Sequence, residues 1–264
     1  MAKLINKVGK KIIKNLFKFL IKSKIGSKVI TESSKLEFLV HKNYNNNQIK
    51  LIQKNFITKY RNDTIFTKEP ETINWIKRMD IDSIFWDVGA NIGLYSIIGA
   101  LTNSKNVVAF EPSYFNLSLL AKNIYNNNLS QKIIIIPISL SNNNSIDDFN
   151  LTSTEEGGAL STFGRIKNKN NFRYKTLSYT LNKFLEDFTY LRPDYLKIDV
   201  DGIETSILMG GNKVFENLKS VLVESNSKTD ENQIIEIMLK NNFYLESKDI
   251  KNSNLIFNKI EKKA

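Results

Sequence analysis

Short apolar runs punctuate this chain at the spacing of buried strands. Ile84-Phe85-Trp86 with Val88, Asn106 to Phe110, Lys132 to Ile136, Tyr195 to Val200 and Ser220 to Glu224 each read as one strand, and a last hairpin pairs Phe243 to Ser247 with Asn254 to Phe257. Helical stretches separate the first of these runs, and strand–helix alternation predicts an α/β sheet of parallel strands. A different period rules the start of the chain. Leu4, Ile5, Val8, Ile12, Ile13, Leu16, Phe17, Phe19, Leu20 and Ile21 recur at three- and four-residue steps, predicting an amphipathic helix over residues 1 to 25. Residues 26 to 80 form a mixed segment of two weak strands (Leu36 to Val40, Gln48 to Ile52) around an Asn-rich turn, with a helix from Glu71 to Arg78 after Pro70. We expect it to act as a lid or as the contact of a homodimer, and we read Glu69 and Glu71 as acids favouring the helix N-terminus, with a reach to the cofactor from upstream as the alternative. The remaining residues, 81 to 260, hold the sheet. Leu151 to Tyr174 interrupts its order with three glycines and the basic residues Arg165, Lys167, Lys169 and Arg173, and reads as a mobile insertion suited to an acidic acceptor or simply to solvent.

The junction after the first strand carries the chemistry. Asp87, Gly89, Ala90, Asn91 and Gly93 turn the chain from strand into the helix of Leu94 to Leu101. Glycine permits positive φ and leaves no Cβ against a ligand, and a helix start offers unpaired N–H groups. The spacing Gly-x-x-x-Gly differs from the Gly-x-Gly-x-x-Gly of dinucleotide folds, which favours a cofactor with an amino-acid end such as S-adenosylmethionine over a pyrophosphate. An ordinary glycine turn is the alternative. Glu111, closing the second strand before Pro112, stands where such sheets place the acid that accepts from ribose hydroxyls. Asp199, Asp201 and Glu204 then cluster where the strand Tyr195 to Val200 turns into a helix, at the end of a parallel sheet where ligands bind. The bland account of Asp201 and Glu204 is that they favour that helix's N-terminus.

Together these blocks, D-V-G-A-N-I-G-L-Y-S, A-F-E-P, L-K-I-D-V-D-G-I-E with L-M-G-G, and V-L-V-E-S, resemble the FkbM family of class I S-adenosylmethionine methyltransferases over about Ile65 to Phe257. The resemblance implies a Rossmann-like, doubly wound seven-stranded sheet with an N-terminal helical and mixed extension, and O-methylation of a sugar, glycan or related secondary-metabolite hydroxyl. It implies cofactor positions at Asp87, Gly89, Ala90, Asn91, Gly93, Tyr95, Ser96, Glu111, Pro112, Ser139 and Asp199. The family often has Glu where this chain has Asp201.

Composition narrows the mechanism. There is no cysteine, and the single His41 lies far upstream of the motif blocks, so thiolate chemistry and a multi-histidine metal site are excluded within one chain. The base that takes a hydroxyl proton must then be a carboxylate, a lysine or a metal-bound alkoxide. Asp199 and Asp201 are the nearest candidates, with Lys197 and Glu224 as supporting charges. A D-x-D segment of this kind in sugar methyltransferases can also hold Mg2+.

Of the net charge of +11, nine lysines fall within residues 1 to 28, with no acid among them. Such a helix suits an anionic membrane surface, and equally a packing role. Lysines break every apolar run, so it is neither a span nor a signal peptide, and the expected location is cytoplasmic, peripheral on the inner face of the membrane. A nucleic-acid methyltransferase is the rival reading. Against it, Asp199-Val-Asp-Gly replaces the Asn/Asp-Pro-Pro-aromatic turn of base amino methylation, and no aromatic-basic RNA module is present. A non-enzymatic membrane scaffold would have no need of Asp87, Glu111 and Asp199 together.

Overall fold

The computed structural model describes residues 2–33, 37–164 and 172–260. Two compact units meet between Leu39 and Val40. In the first, helices α1 (Ala2–Lys22) and α2 (Lys24–Ser33) are joined at Ser23, whose Oγ donates to the Leu20 carbonyl and accepts from Gly26 N–H. Ile12, Ile13, Leu16, Phe19 and Ile21 of α1 are each more than half exposed. Among the described residues no helix is long and apolar enough to cross a membrane.

The second unit begins with the hairpin β1 (Phe38–Tyr44) and β2 (Asn47–Gln53), turned over Asn45 and Asn46, both left-handed as such turns require. Helix α3 (Phe56–Thr64) starts from a capping box between Asn55 and Thr58, and α4 (Pro70–Lys77) follows. Then come β3 (Ser83–Val88), α5 (Leu94–Leu101), β4 (Ser104–Phe110), α6 (Tyr114–Asn126) and β5 (Ile133–Ile136). After an excursion described below, the chain resumes with α7 (Leu181–Asp187), β10 (Tyr195–Ile198), α8 (Glu204–Met209), α9 (Asn212–Phe215), β11 (Ser220–Glu224), α10 (Lys228–Lys240) and the hairpin β12 (Phe243–Lys248) and β13 (Asn254–Lys259).

These strands make one seven-stranded sheet in the order β12-β13-β11-β10-β3-β4-β5, with β5, β4, β3, β10 and β11 parallel and β13 running antiparallel to both of its neighbours, β11 and β12. It is buried on both faces because its central strands carry large apolar residues in both directions. Trp86, Phe110 and Phe184 stack edge-on at 4.9–5.3 Å on one face, under α7, and Phe85, Trp75 and Tyr195 do so at 5.9–6.1 Å on the other. The indole N–H groups are satisfied by the Leu191 carbonyl and Ser220 Oγ. Starting at β3, the chain winds outward through β4 and β5, then crosses back to place β10 on the other side of β3. The crevice between the carboxyl ends of β3 and β10 is thus the switch point where such sheets bind ligands.

Residues 40 to 80 pack into this same unit. Asn127 accepts from Lys50 N–H and donates to the Lys50 carbonyl, and Asn123 accepts from Ile52 N–H while donating to the Ile92 carbonyl, so two side chains of the α6 region complete the backbone bonding of β2.

The excursion shows that Leu151 to Tyr174 is in part strand, at its two ends and at Thr162–Phe163, with loop over 152–161. Strands β6 (Ser139–Leu140), β7 (Ser145–Leu151), β8 (Thr162–Phe163) and β9 (Phe172–Tyr179) form a second sheet, ordered β6-β9-β7-β8, in which Leu151 pairs with Phe172 and Asn150 with Arg173. Its β9 alternates polar and apolar residues, leaving Arg173 and Lys175 exposed, which is why the stretch resembles a basic loop. Arg165, Lys167 and Lys169 lie outside the described residues.

Candidate active site

At the end of β3 the backbone turns through three left-handed residues, Gly89 (φ +84), Asn91 (φ +52) and Gly93 (φ +87). The reason for the two glycines differs from the one expected. A Cβ on Gly89 would sit 1.9 Å from the Asp199 carbonyl oxygen, and one on Gly93 would sit 2.4 Å from Leu120 Cδ1. Protein atoms, not a ligand, fill the space each glycine leaves. The amides are also largely engaged: Gly89 and Ala90 N–H donate to the Phe110 carbonyl, and Asn91 N–H donates to Glu111 Oε2 at 2.8 Å. Asp87 is fully buried beneath the turn. Its Oδ2 accepts from Ser96 Oγ at 2.5 Å, while Oδ1 lies 4.0 Å from Lys197 Nζ without a hydrogen bond, and burial raises its carboxyl above the ordinary value.

Glu111 closes β4 as expected and is buried. Its two oxygens take the N–H groups of Asn91 and Ser113, at 2.8 and 2.7 Å. Burial nevertheless pushes its carboxyl up to about 7, because two amide dipoles only partly replace lost hydration. With Pro112, Ser139 and Asp201 it lines a small cavity of about 60 Å3. Ser139 is buried at the start of β6, and the Pro112 carbonyl accepts from Tyr174 Oη.

Across the switch point, β10 ends at Ile198, and the released Asp199 faces a different environment. Lys197, a buried lysine on a central strand, donates to Asp199 Oδ2 at 2.8 Å. Burial pushes Asp199 upward, but the Lys197 ammonium outweighs it and holds the carboxyl well below the usual carboxylate range. Burial would likewise depress Lys197, and Asp199 and Asp87 together keep it charged. Glu224, at the end of β11, is pushed up to about 9 by burial and by its hydrogen bond to Asp199. Asp199 keeps 27% of its side-chain exposure, so it is open to a ligand.

Asp201 and Glu204 separate in role. Asp201 (φ +62) accepts from Leu160 N–H at 2.6 Å, tying the β10–α8 turn to the loop between β7 and β8. Glu204 is buried and accepts from Val200 and Gly202 N–H and from Asn226, clamping the turn that presents Asp199. For Glu204 the bland reading is the right one. Asp199 and Asp201 have different partners, and among the described residues no group of three or more His, Cys, Asp or Glu could hold a metal, so Mg2+ on the D-x-D segment gains no support.

A larger cavity of about 460 Å3 opens on the other side of Asp199 and shares Gly89, Asn91, Gly158 and Ala159 with the small one. Glu69 lines it. Sequence reasoning favours a helix-terminal acid there, yet Glu69 makes no capping bond. Instead it accepts from Tyr95 Oη at 2.8 Å and Lys68 Nζ at 2.5 Å. Tyr95 in turn lies under Lys197, whose Nζ is 4.8 Å from the ring centre, so Glu69, Tyr95, Lys197 and Asp199 form one connected set. Glu71 instead accepts from Asn252 and Asn254 at the β12–β13 hairpin. The face of α3 that lines this cavity, with Ile57, Tyr60 and Arg61, was also missed, since only folding brings it against the Gly157–Gly158 loop.

Residues 87–245 match the methyltransferase FkbM domain. The hexuronic acid methyltransferase AglP of Haloferax volcanii is 23% identical over 163 residues, covering 62% of this chain and 64% of its own length, so the chain spans less than two thirds of that relative. Among solved structures, an FkbM methyltransferase of Methylobacillus flagellatus aligns with a TM-score of 0.48 at 16% identity, over 69% of this chain and 44% of that one. The magnesium protoporphyrin IX methyltransferase of Synechocystis, solved with SAM bound, aligns at 0.48 and 12% identity over 79% and 86%. With more than half of its residues matched to the domain, the chain belongs to the FkbM family of methyltransferases.

Proposed function

We propose that the crevice binds S-adenosylmethionine and that the enzyme moves its methyl group to a hydroxyl oxygen of a sugar or glycan-type acceptor. One observation carries this reading: Glu111, the Asp87–Gly93 turn and Asp199 converge on two joined cavities at the β3/β10 switch point. The donor and acceptor set fits that cofactor. Asn91, which lines both cavities, has a buried Oδ1 with no hydrogen-bond partner, which suits an ammonium or hydroxyl donor. Glu111 retains lone pairs for a ribose diol after accepting two amides.

When bound, the cofactor supplies an electrophilic methyl group on a sulfonium. The chain's own part is to orient a hydroxyl and take its proton. Asp199, kept ionised by Lys197 and standing on the wall shared by both cavities, accepts the hydroxyl hydrogen bond and then the proton as the C–O bond forms. A weak base suffices, because the hydroxyl becomes strongly acidic as its oxygen is alkylated. Glu224, protonated near neutrality, stays a hydrogen-bond donor to Asp199 and keeps a second negative charge out of the site. The hexuronic acid named for the Haloferax relative supports a sugar acceptor. Calorimetry with S-adenosylhomocysteine and with NAD tests the assignment: binding of the first alone is expected, and no binding at millimolar S-adenosylhomocysteine rejects it.

The exposed apolar residues of α1, set among exposed Lys11, Lys14, Lys18 and Lys22, support a second proposal, that residues 1 to 25 bind an anionic bilayer. Deleting them should abolish salt-sensitive binding to phosphatidylserine vesicles and leave cofactor affinity intact. Full-length protein that ignores such vesicles removes the membrane role.

A further inference from the structure

The charges lining the larger cavity are unequally matched. Glu69 is neutralised by Lys68 at 2.5 Å, and Asp199 by Lys197 at 2.8 Å. Arg61 also lines the cavity, and among the described residues it forms no ion pair. Its Nε donates to the Gly157 carbonyl at 2.7 Å, which fixes the guanidinium by one edge. Its field reaches Glu111, but the two form no ion pair. A guanidinium held through Nε keeps two terminal amino groups, the pair that grips a carboxylate in a fork. One turn of the same helix away from the cavity, Phe56 is 80% exposed, and Tyr60, at the cavity itself, is 51% exposed. At i and i+4 they share a helix face, an aromatic platform of the kind that covers the C–H face of a pyranose.

We propose that α3 reads the acceptor and that the acceptor is an acidic sugar, its carboxylate paired with Arg61 and its ring laid against Tyr60. This rests on the methyltransferase reading above and narrows its acceptor class to a uronate-type sugar. A single unmatched positive charge suits a monoanion. A dianionic phosphate would add net negative charge beside Asp199 and Glu69, where no further cation lines the cavity among the described residues.

The test uses the full chain loaded with S-adenosylhomocysteine, titrated calorimetrically with p-nitrophenyl β-D-glucuronide, its methyl ester and p-nitrophenyl β-D-glucoside. The glucuronide should bind at least about tenfold tighter than either neutral sugar, the scale of one charge-assisted forked contact. Arg61→Gln should bring the three within about twofold, and Arg61→Lys, which keeps the charge but loses the fork, should fall between. Equal affinity of acid and ester in the wild-type protein overturns the proposal without any variant. So does a preference that survives Arg61→Gln, or the absence of all sugar binding while S-adenosylhomocysteine still binds. Failure to bind S-adenosylhomocysteine would instead remove the underlying assignment.

Discussion

Glu111 and Asp199 close two strands on either side of β3 and open onto adjoining cavities, yet they are held by opposite means. Glu111 is deeply buried and has only amide N–H partners close by, so burial wins and its carboxyl sits at about 7. Asp199 has a whole cation within 2.8 Å, so the cation wins and the carboxyl stays ionised. The difference teaches how one crevice can hold two carboxylates for two tasks. A group balanced near neutrality gains most from a ligand's hydroxyl donors, whereas a permanently charged one can receive a proton late in a reaction. Glu224 completes the pattern: next to an already ionised Asp199, it is pushed up to about 9.

The comparison breaks most sharply at Lys197. Lys197→Met should cost about 3–5 kcal/mol in denaturant unfolding, because it strands Asp87 and Asp199 without their cation. It should also move the Asp199 carboxyl upward, toward the behaviour of Glu111, measured by NMR titration. A variant of near-normal stability would show that amides and solvent suffice at both sites. Gly89→Ala should cost about 3 kcal/mol, from strain at φ +84 together with the clash against the Asp199 carbonyl. Loss of cofactor binding at unchanged stability would restore the view that the glycine makes room for a ligand.

Asp199→Asn should lower turnover at least about a hundredfold, the scale of a lost general base, and should also lower the melting temperature, because it takes a counter-ion from buried Lys197. Asp201→Asn, which takes away the charge but keeps an oxygen able to accept from Leu160 N–H, should cost less than about tenfold. The reverse order would exchange their roles. The effect at Glu111 is read through pH. Its folded pKa of about 7 stands above the value of 4.5 expected when unfolded, so the folded protein holds a proton that the unfolded chain releases. Stability of the ligand-free protein should therefore fall as pH rises from about 5 to 7, and Glu111→Gln should flatten that slope. Ribose hydroxyls favour the ionised form, so S-adenosylhomocysteine should bind roughly tenfold tighter at pH 8 than at pH 6, as expected for one group titrating near 7. Affinity independent of pH would place the ribose elsewhere.

The sheet was legible because its central strands are buried on both faces and appear as short, mostly apolar runs followed by glycine or acid, broken only by Asp87 in β3 and Lys197 in β10. Glu111 and Asp199 were legible for the same reason, as acids at strand ends. The basis of their behaviour was not. Asn91 N–H, Leu160 N–H and the Asp199 carbonyl over Gly89 are backbone groups, placed only once distant segments meet. Glu69 stands at the start of α4 as its place before Pro70 suggests, but its bond to Tyr95, which lies beyond α4, β3 and the glycine turn, was not legible. The second sheet was hidden by its own exposed face, where Arg173 and Lys175 give way to the apolar Leu177 and Tyr179 on the same side of β9, so the alternation of polar and apolar residues changes phase within one strand.

The asparagine pair on α6 has a consequence for solubility. Strand β2 pairs with β1 on one side only, and an open edge of that kind is a template for another chain. Asn127 imitates a neighbouring strand at Lys50 by offering one acceptor and one donor, and Asn123 takes up the Ile52 amide. Side-chain amides thus substitute for a strand that the fold does not have, and edge-to-edge association is blocked without burying a charge or inserting a proline. In a chain rich in asparagine, replacing these two by aspartate would leave acceptors only, expose the Lys50 carbonyl and reopen that edge to aggregation.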